Sequence, residues 1–339
     1  MQNARDALEK HQVGIYLGTV LVAVATALVA PGTHVLEAVI NPALAAMLFV
    51  TFLQVPLVEL GRAFVRGRFL AALLTANFVA VPLLMVALVP LLPSDDMVRL
   101  GVLLVLLAPC VDYVVTFSQI GRADARLLLA ATPALLIVQM VLLPVYLALI
   151  LGSEAGTLVQ PGPFVEAFVW LIASPLVLAA ILQGWAARKT AGNRLLAALV
   201  VLPVPATALV LFIVVAAVLP QIGSSWNTAL QVTPFYIAFA AVAPLLGWAT
   251  GRLFMLQDSA ARAVAFSTGT RNSLVVLPLA LAVPGAMPML PAIIVTQTLV
   301  ELIAELVYVR WIARFGGADA AAPLATSGRE ERKPGSPGA

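Results

Sequence analysis

The chain of 339 residues has one cysteine, Cys110, and two histidines, His11 and His34. A single thiol excludes an intrachain disulfide framework. Both histidines lie outside the apolar stretches, and the sequence has no HExxH, no GxSxG and no phosphate-binding loop. It therefore reads as a non-enzyme that calls for no cofactor and offers no metal centre. Charge is scarce as well. Asp, Glu, Lys and Arg make up 10% of the residues, against about 25% in soluble globular domains, which excludes a water-soluble protein. The net charge of +3 belongs to loops on one side of a membrane, so nucleic acid is not expected as a partner.

Apolar sequence is abundant, at 62% of residues. It falls into ten stretches, 13–30, 35–60, 69–92, 98–119, 125–151, 164–186, 195–218, 232–255, 261–283 and 288–313. About 20 apolar residues cross a hydrocarbon layer of roughly 30 Å as a helix. A helix also satisfies its own backbone where no water can. The expected fold is thus an all-α polytopic membrane protein with ten transmembrane helices and the lipid bilayer as its surroundings.

Of the 19 Lys and Arg residues, 17 fall before the first stretch, after the last, in every second gap between them, or within three residues of the stretch ends that border those regions. Arg62, Arg66 and Arg68 follow the second stretch, Arg122 and Arg126 the fourth, and Arg188, Lys189 and Arg194 the sixth. Cytoplasmic loops collect Lys and Arg, so the reading is a multi-pass protein of the plasma (inner) membrane with both termini cytoplasmic. Residues 1–12 form the N-terminal segment, and 316–339, rich in Gly, Ala, Pro, Ser and charge, read as a disordered cytoplasmic tail.

The segment from Pro133 to Gln139 (PALLIVQ) resembles that from Pro291 to Gln297 (PAIIVTQ). This suggests a first five-helix repeat over 13–152 and a second over 163–315. A duplicated unit of five spans must reverse its orientation, and inverted repeats with interrupted helices mark secondary transporters. Stretches four and nine are the interrupted pair, at Ala108-Pro109-Cys110-Val111-Asp112-Tyr113 and Ser267-Thr268-Gly269-Thr270-Arg271-Asn272-Ser273. Pro109 removes a helical amide and Gly269 lowers helix propensity. Unwound backbone at that depth is tolerated only inside protein or along a wet cavity, so the two should face each other.

Arg271 costs most at that depth, about 2.5–3.5 kcal/mol on insertion scales. It either binds an anionic substrate, stands in for a coupling cation, or pairs with Asp112 or Glu301. Those two acids could carry a proton beside it. Glu305, one turn beyond Glu301, reads as a rim residue balanced by Arg310. Cys110 is either a packing residue or a thiol that touches a soft metalloid. Asn77, Gln54, Gln139 and Gln297 are further polar groups at depth, each equally able to join helices by hydrogen bonds.

Several segments together resemble the bile acid:sodium symporter superfamily, and within it the arsenite permease branch. They are Asn41-Pro42, Thr51 to Leu57, Asn77-Phe78-Val79-Ala80-Val81-Pro82, Ala108 to Val115, and Gly269-Thr270-Arg271-Asn272. The resemblance covers about residues 13–315. It implies a panel of spans 1, 2, 6 and 7 beside a core of spans 3–5 and 8–10, with discontinuous helices 4 and 9 crossing at the substrate site. It also implies that Cys110 contacts arsenite. Two departures matter. The arsenite branch has an acid where this chain has Ser273. Sodium-coupled members have Ser-Asn and Glu with Gln where this chain has Val114-Val115, Ser267 and Arg271. Valine offers no oxygen ligand, so proton exchange through Asp112 is preferred over sodium coupling.

The first reading is a permease that exports arsenite or a related oxyanion by antiport, through Cys110, Asp112, Arg271, Asn272, Ser273 and Asn77. Rivals are a carrier of small organic anions, with Arg271 on the substrate carboxylate, and a non-transporting membrane sensor or scaffold.

Overall fold

The computed structural model describes residues 7–8, 11–30, 32–54, 67–111, 113–152, 161–221 and 226–316. Asp112, the loop arginines Arg62 and Arg66, and the tail from residue 317 lie outside the described residues. Among the described residues the fold is all helical. In chain order the helices are α1 (Gln12–Val29), α2 (Glu37–Phe52), α3 (Gly67–Leu91), α4 (Asp96–Leu106), α5 (Val114–Ile120) and α6 (Ala125–Leu151). They continue with α7 (Val169–Ala186, which runs on from a helix over Pro161–Phe168), α8 (Thr190–Leu199), α9 (Pro203–Val218) and α10 (Trp226–Leu253). Last come α11 (Asp258–Gly269), α12 (Ser273–Leu281) and α13 (Met289–Trp311).

Among the described residues, six helices are long and apolar enough to cross a membrane, or seven if α8 and α9, bent by 44°, form one span. The other three apolar stretches are the shorter α1 and the two broken pairs, α4 with α5 and α11 with α12. The outer surface is apolar. Leu28, Leu83, Leu149 and Ile181 are more than half exposed, a face that belongs against lipid tails. The chain is a multi-pass membrane protein.

The helices pack as two groups. In the first, α9 lies against α1 and α2, and α7 against α2. In the second, α10 packs on α11, α13 and α3, while α4 packs on α6 and α13. Packing between α10 and α11 is close because Gly247 and Gly251 share one face of α10, one turn apart. A Cβ on Gly247 would sit 1.9 Å from Thr268 Oγ1.

Proline sets two further contacts. Pro82 has no amide to give the carbonyl of Phe78 one turn back, and that carbonyl accepts from the Tyr146 hydroxyl at 2.5 Å. Pro244 frees the carbonyl of Ala240 in the same way, and Tyr308 donates to it at 2.6 Å. The helix widens to a π turn at Ala76–Ala80, just before Pro82. Asn77 sits within that turn, a place where π turns often carry function.

Candidate functional site

The two interruptions meet. Past Leu106 and past Gly269 the chain leaves the helix, and the unwound stretches pair as an isolated antiparallel bridge between Pro109 and Arg271. The Cys110 amide donates to Thr270 O at 3.1 Å, and the Asn272 amide to Ala108 O at 2.8 Å. Backbone groups that the breaks would orphan thus satisfy each other. The two bonds exchange partners about a centre between Pro109 and Arg271. The offset that carries Pro109 to Arg271 also carries Pro82 to Pro244, Phe78 to Ala240 and Tyr146 to Tyr308.

Arg271 is fully buried, and its guanidinium occupies the ends of both first halves. Nη2 donates to Ser267 O at 2.6 Å, Thr268 O at 2.7 Å and Asn77 Oδ1 at 2.9 Å. Nη1 donates to Leu106 O at 3.3 Å. Three of these acceptors are last-turn carbonyls of α11 and α4, which lost their amide partners where the helices stop. A cation is favoured there by the partial negative charge of a helix C-terminus. The guanidinium carbon also lies 5.4 Å from the Phe239 ring centre, a cation–π distance.

Glu301 meets Arg271 differently from an ion pair. Its Oε2 accepts the Arg271 backbone amide at 2.8 Å and Gln297 Nε2 at 2.5 Å, while Oε1 accepts from the Tyr113 hydroxyl. No salt bridge joins this carboxylate to the guanidinium, because the guanidinium is turned to carbonyls on the other side. Tyr113 also reaches the Arg271 carbonyl at 3.2 Å. Ser273 donates to Gln297 Oε1, so one chain of bonds runs from Ser273 through Gln297 and Glu301 to Tyr113.

Glu305 corrects the rim expectation. It is fully buried and accepts from the Thr270 hydroxyl at 2.5 Å, whereas Arg310 is exposed. One helical turn from Glu301 on the same face, it turns inward with it. Cys110 is buried with its backbone in the bridge. Asn77 Nδ2 donates to Ser267 Oγ at 3.0 Å, and Asn272 Oδ1 caps α12 by accepting from Val275 N at 3.3 Å. Among the described residues, the crossing therefore gathers Cys110, Arg271, Asn272, Ser273, Asn77 and Glu301. Tyr113 and Thr270 join it although neither had been singled out. Tyr113 lay inside the quoted Ala108 to Val115 segment, and Thr270 inside the polar run of stretch nine. At the crossing, Arg271 Nε, Asn272 Nδ2 and Glu305 Oε2 are buried without a hydrogen-bond partner.

A small polar cleft of about 30 Å³ adjoins the crossing between the two helix groups. Gln12, Tyr16, Thr51 and Gln54 line it from α1 and the end of α2, and Tyr113 and Thr116 from the crossing side. Elsewhere along the same seam the lining is apolar, with Val20, Leu211 and Val214 facing Leu274, Leu277 and Ile294.

Helices broken at depth, tied through exposed backbone and flanked by buried charge and a polar cleft, define a membrane transporter rather than a passive scaffold. The chain matches the Sodium Bile acid symporter family over residues 41–225, more than half its length, and belongs to that family. The matched region holds the first interruption and ends before the second. A search of curated proteins found no match.

Proposed function

We propose that this transporter exports arsenite or a related oxyanion by alternating access, in antiport with protons and without sodium. The observation that carries the reading is the guanidinium of Arg271 held by four oxygen acceptors at the crossing. A permanent cation built into that cage does the work of a mobile one and leaves no room for it. Val114, fully buried where an oxygen ligand would be needed, adds to this. The lone thiol at the same crossing supports a metalloid cargo.

In this reading the chain is ten spans in two inverted five-helix repeats, 13–152 and 163–315. Group one is the panel and group two the core. The shared offset between the halves supports the duplication, and antiparallel pairing at its centre supports the inversion. The Lys and Arg alternation supports the plasma membrane with both termini cytoplasmic. The polar cleft then opens to the cytoplasm, since α1 begins there and α2 ends there. Asp112 lies outside the described residues and keeps its proposed place at the substrate site from the sequence alone.

A carrier of small organic anions is the second reading. Arg271 Nε and Asn272 Nδ2 are buried donors without partners, and a carboxylate would satisfy them. The deciding experiment measures arsenite tolerance and cellular arsenic in a host stripped of its own exporters, at matched expression. Wild type should confer tolerance that Cys110→Ser loses, with the same export rate when choline replaces sodium. A well-expressed wild type that confers none rejects arsenite and turns the test to labelled carboxylates.

A further inference from the structure

We propose that Glu301 is the group that takes up and releases the coupling proton, and that the Tyr113 hydroxyl relays it between Glu301 and the polar cleft. This rests on the proton-coupled reading above and names the route within it. Glu301 is 3% exposed and Tyr113 8%, so the acid has no open path of its own. Tyr113 does, because it lines the cleft beside Thr51, Gln54 and Thr116 while its hydroxyl donates to Glu301 Oε1. One side chain therefore touches both the polar cleft and the buried carboxylate.

The step balances without any other reactant. A hydronium in the cleft gives a proton to the Tyr113 oxygen, which has lone pairs to accept it. As it does so, the phenol proton passes to Glu301 Oε1. The phenol is neutral before and after, the carboxylate becomes a carboxyl, and one proton has left the cleft. Release runs the same bonds backwards. The ionised form is held by the Arg271 amide and Gln297 Nε2 on Oε2, so neither state leaves the acid bare.

Other titratable groups face Glu301 from every side. Tyr113 comes from the start of α5, Arg271 from the crossing, and Glu305 and Tyr308 from further along α13. Arg271 is committed to carbonyls and remains charged. Glu305 is bonded to Thr270, away from the cleft lining. Of the two acids, Glu301 is the one with a bonded neighbour on the cleft lining. The offset relating the two halves carries Gln139 to Glu301. An amide at one position and an acid at the other confine the exchange to the second half.

The test is infrared difference spectroscopy on the full chain in liposomes, stepping the pH across the neutral range and following the protonated-carboxyl band. Wild type should show the band, Glu301→Gln should lose it, and Asp112→Asn should keep it. Tyr113→Phe should keep its amplitude but fill it more slowly after a pH jump, by roughly a hundredfold as for loss of a positioned acid–base group. A band that survives in Glu301→Gln, or vanishes in Asp112→Asn instead, overturns the assignment. Tyr113→Phe filling at the wild-type rate overturns the relay, and it remains readable if Glu301→Gln does not fold. A wild type that moves no arsenite defeats the cargo reading and leaves the infrared result standing.

Discussion

Replacing Arg271 by Met keeps most of the side-chain volume and removes the guanidinium. Four buried acceptors then lose their donor, Leu106 O, Ser267 O, Thr268 O and Asn77 Oδ1. Hydrogen bonds from a charged group contribute about 1.5–3 kcal/mol each, so the gross loss is about 6–12 kcal/mol. Against this stands the cost of keeping an arginine at membrane depth, about 2.5–3.5 kcal/mol. Breaking buried charged networks from one side costs about 3–5 kcal/mol in practice, the lower part of the range left by that subtraction. At about 1.4 kcal/mol per tenfold, this is a shift of two to nearly four orders of magnitude in the unfolding equilibrium. Reversible unfolding in mixed detergent and dodecyl sulfate, followed by tryptophan fluorescence, measures it directly. Arg271→Lys should fall between, since an ammonium has three donors on a point and cannot span acceptors on three helices. Arg271→Ala should regain part of the loss in dilute methylguanidinium, which can enter the vacated cage. If Arg271→Met unfolds within about 1 kcal/mol of wild type, the scale of one ordinary hydrogen bond, the guanidinium does not hold the broken ends and the reasoning fails.

Two further outcomes follow from packing. Gly247→Ala should destabilise by about 1–3 kcal/mol or more in the same assay, because the new methyl would meet Thr268 Oγ1 at 1.9 Å and the Val264 carbonyl at 2.8 Å. A neutral effect would mean that α10 and α11 can part at little cost. Cys110, fully buried, should resist N-ethylmaleimide in intact membranes and react once the protein is denatured. Fast labelling of the resting protein would mean that the crossing opens to solvent without cargo.

Much of this arrangement was legible in the sequence, for definite reasons. The stretch 125–151 coincides with α6 because a long apolar run is bounded by Asp124, whose carboxylate accepts from Leu127 N, and by Gly152. The breaks in stretches four and nine were visible because polar residues and a proline stood where lipid-facing helix could not hold them. That they pair through backbone was not visible, since hydrogen-bond register leaves no mark on composition. The bend between α8 and α9 falls just before Pro203, one of the in-span prolines that signal a kink. The rim reading of Glu305 failed because acids one turn apart look alike whether they face a loop or the core, and only the Thr270 hydroxyl tells them apart. The segments at Pro133 and Pro291 lie one helical turn away from the offset that the crossing follows. In apolar helices, similarity can slip by a turn and still keep the same face inward.

The backbone pairing at Pro109 and Arg271 acts as a clasp. Two amide–carbonyl bonds, with the guanidinium driven through both first halves like a pin, leave the four half-helices little freedom to slide past one another. In the proposed cycle they travel as one piece, and the seam between the two helix groups supplies the compliance. That seam is polar beside Tyr113 and lined by branched aliphatic side chains beside Leu277. A molecule built this way would move its cargo by turning a rigid cross against a flat partner, leaving the cross itself intact throughout the cycle.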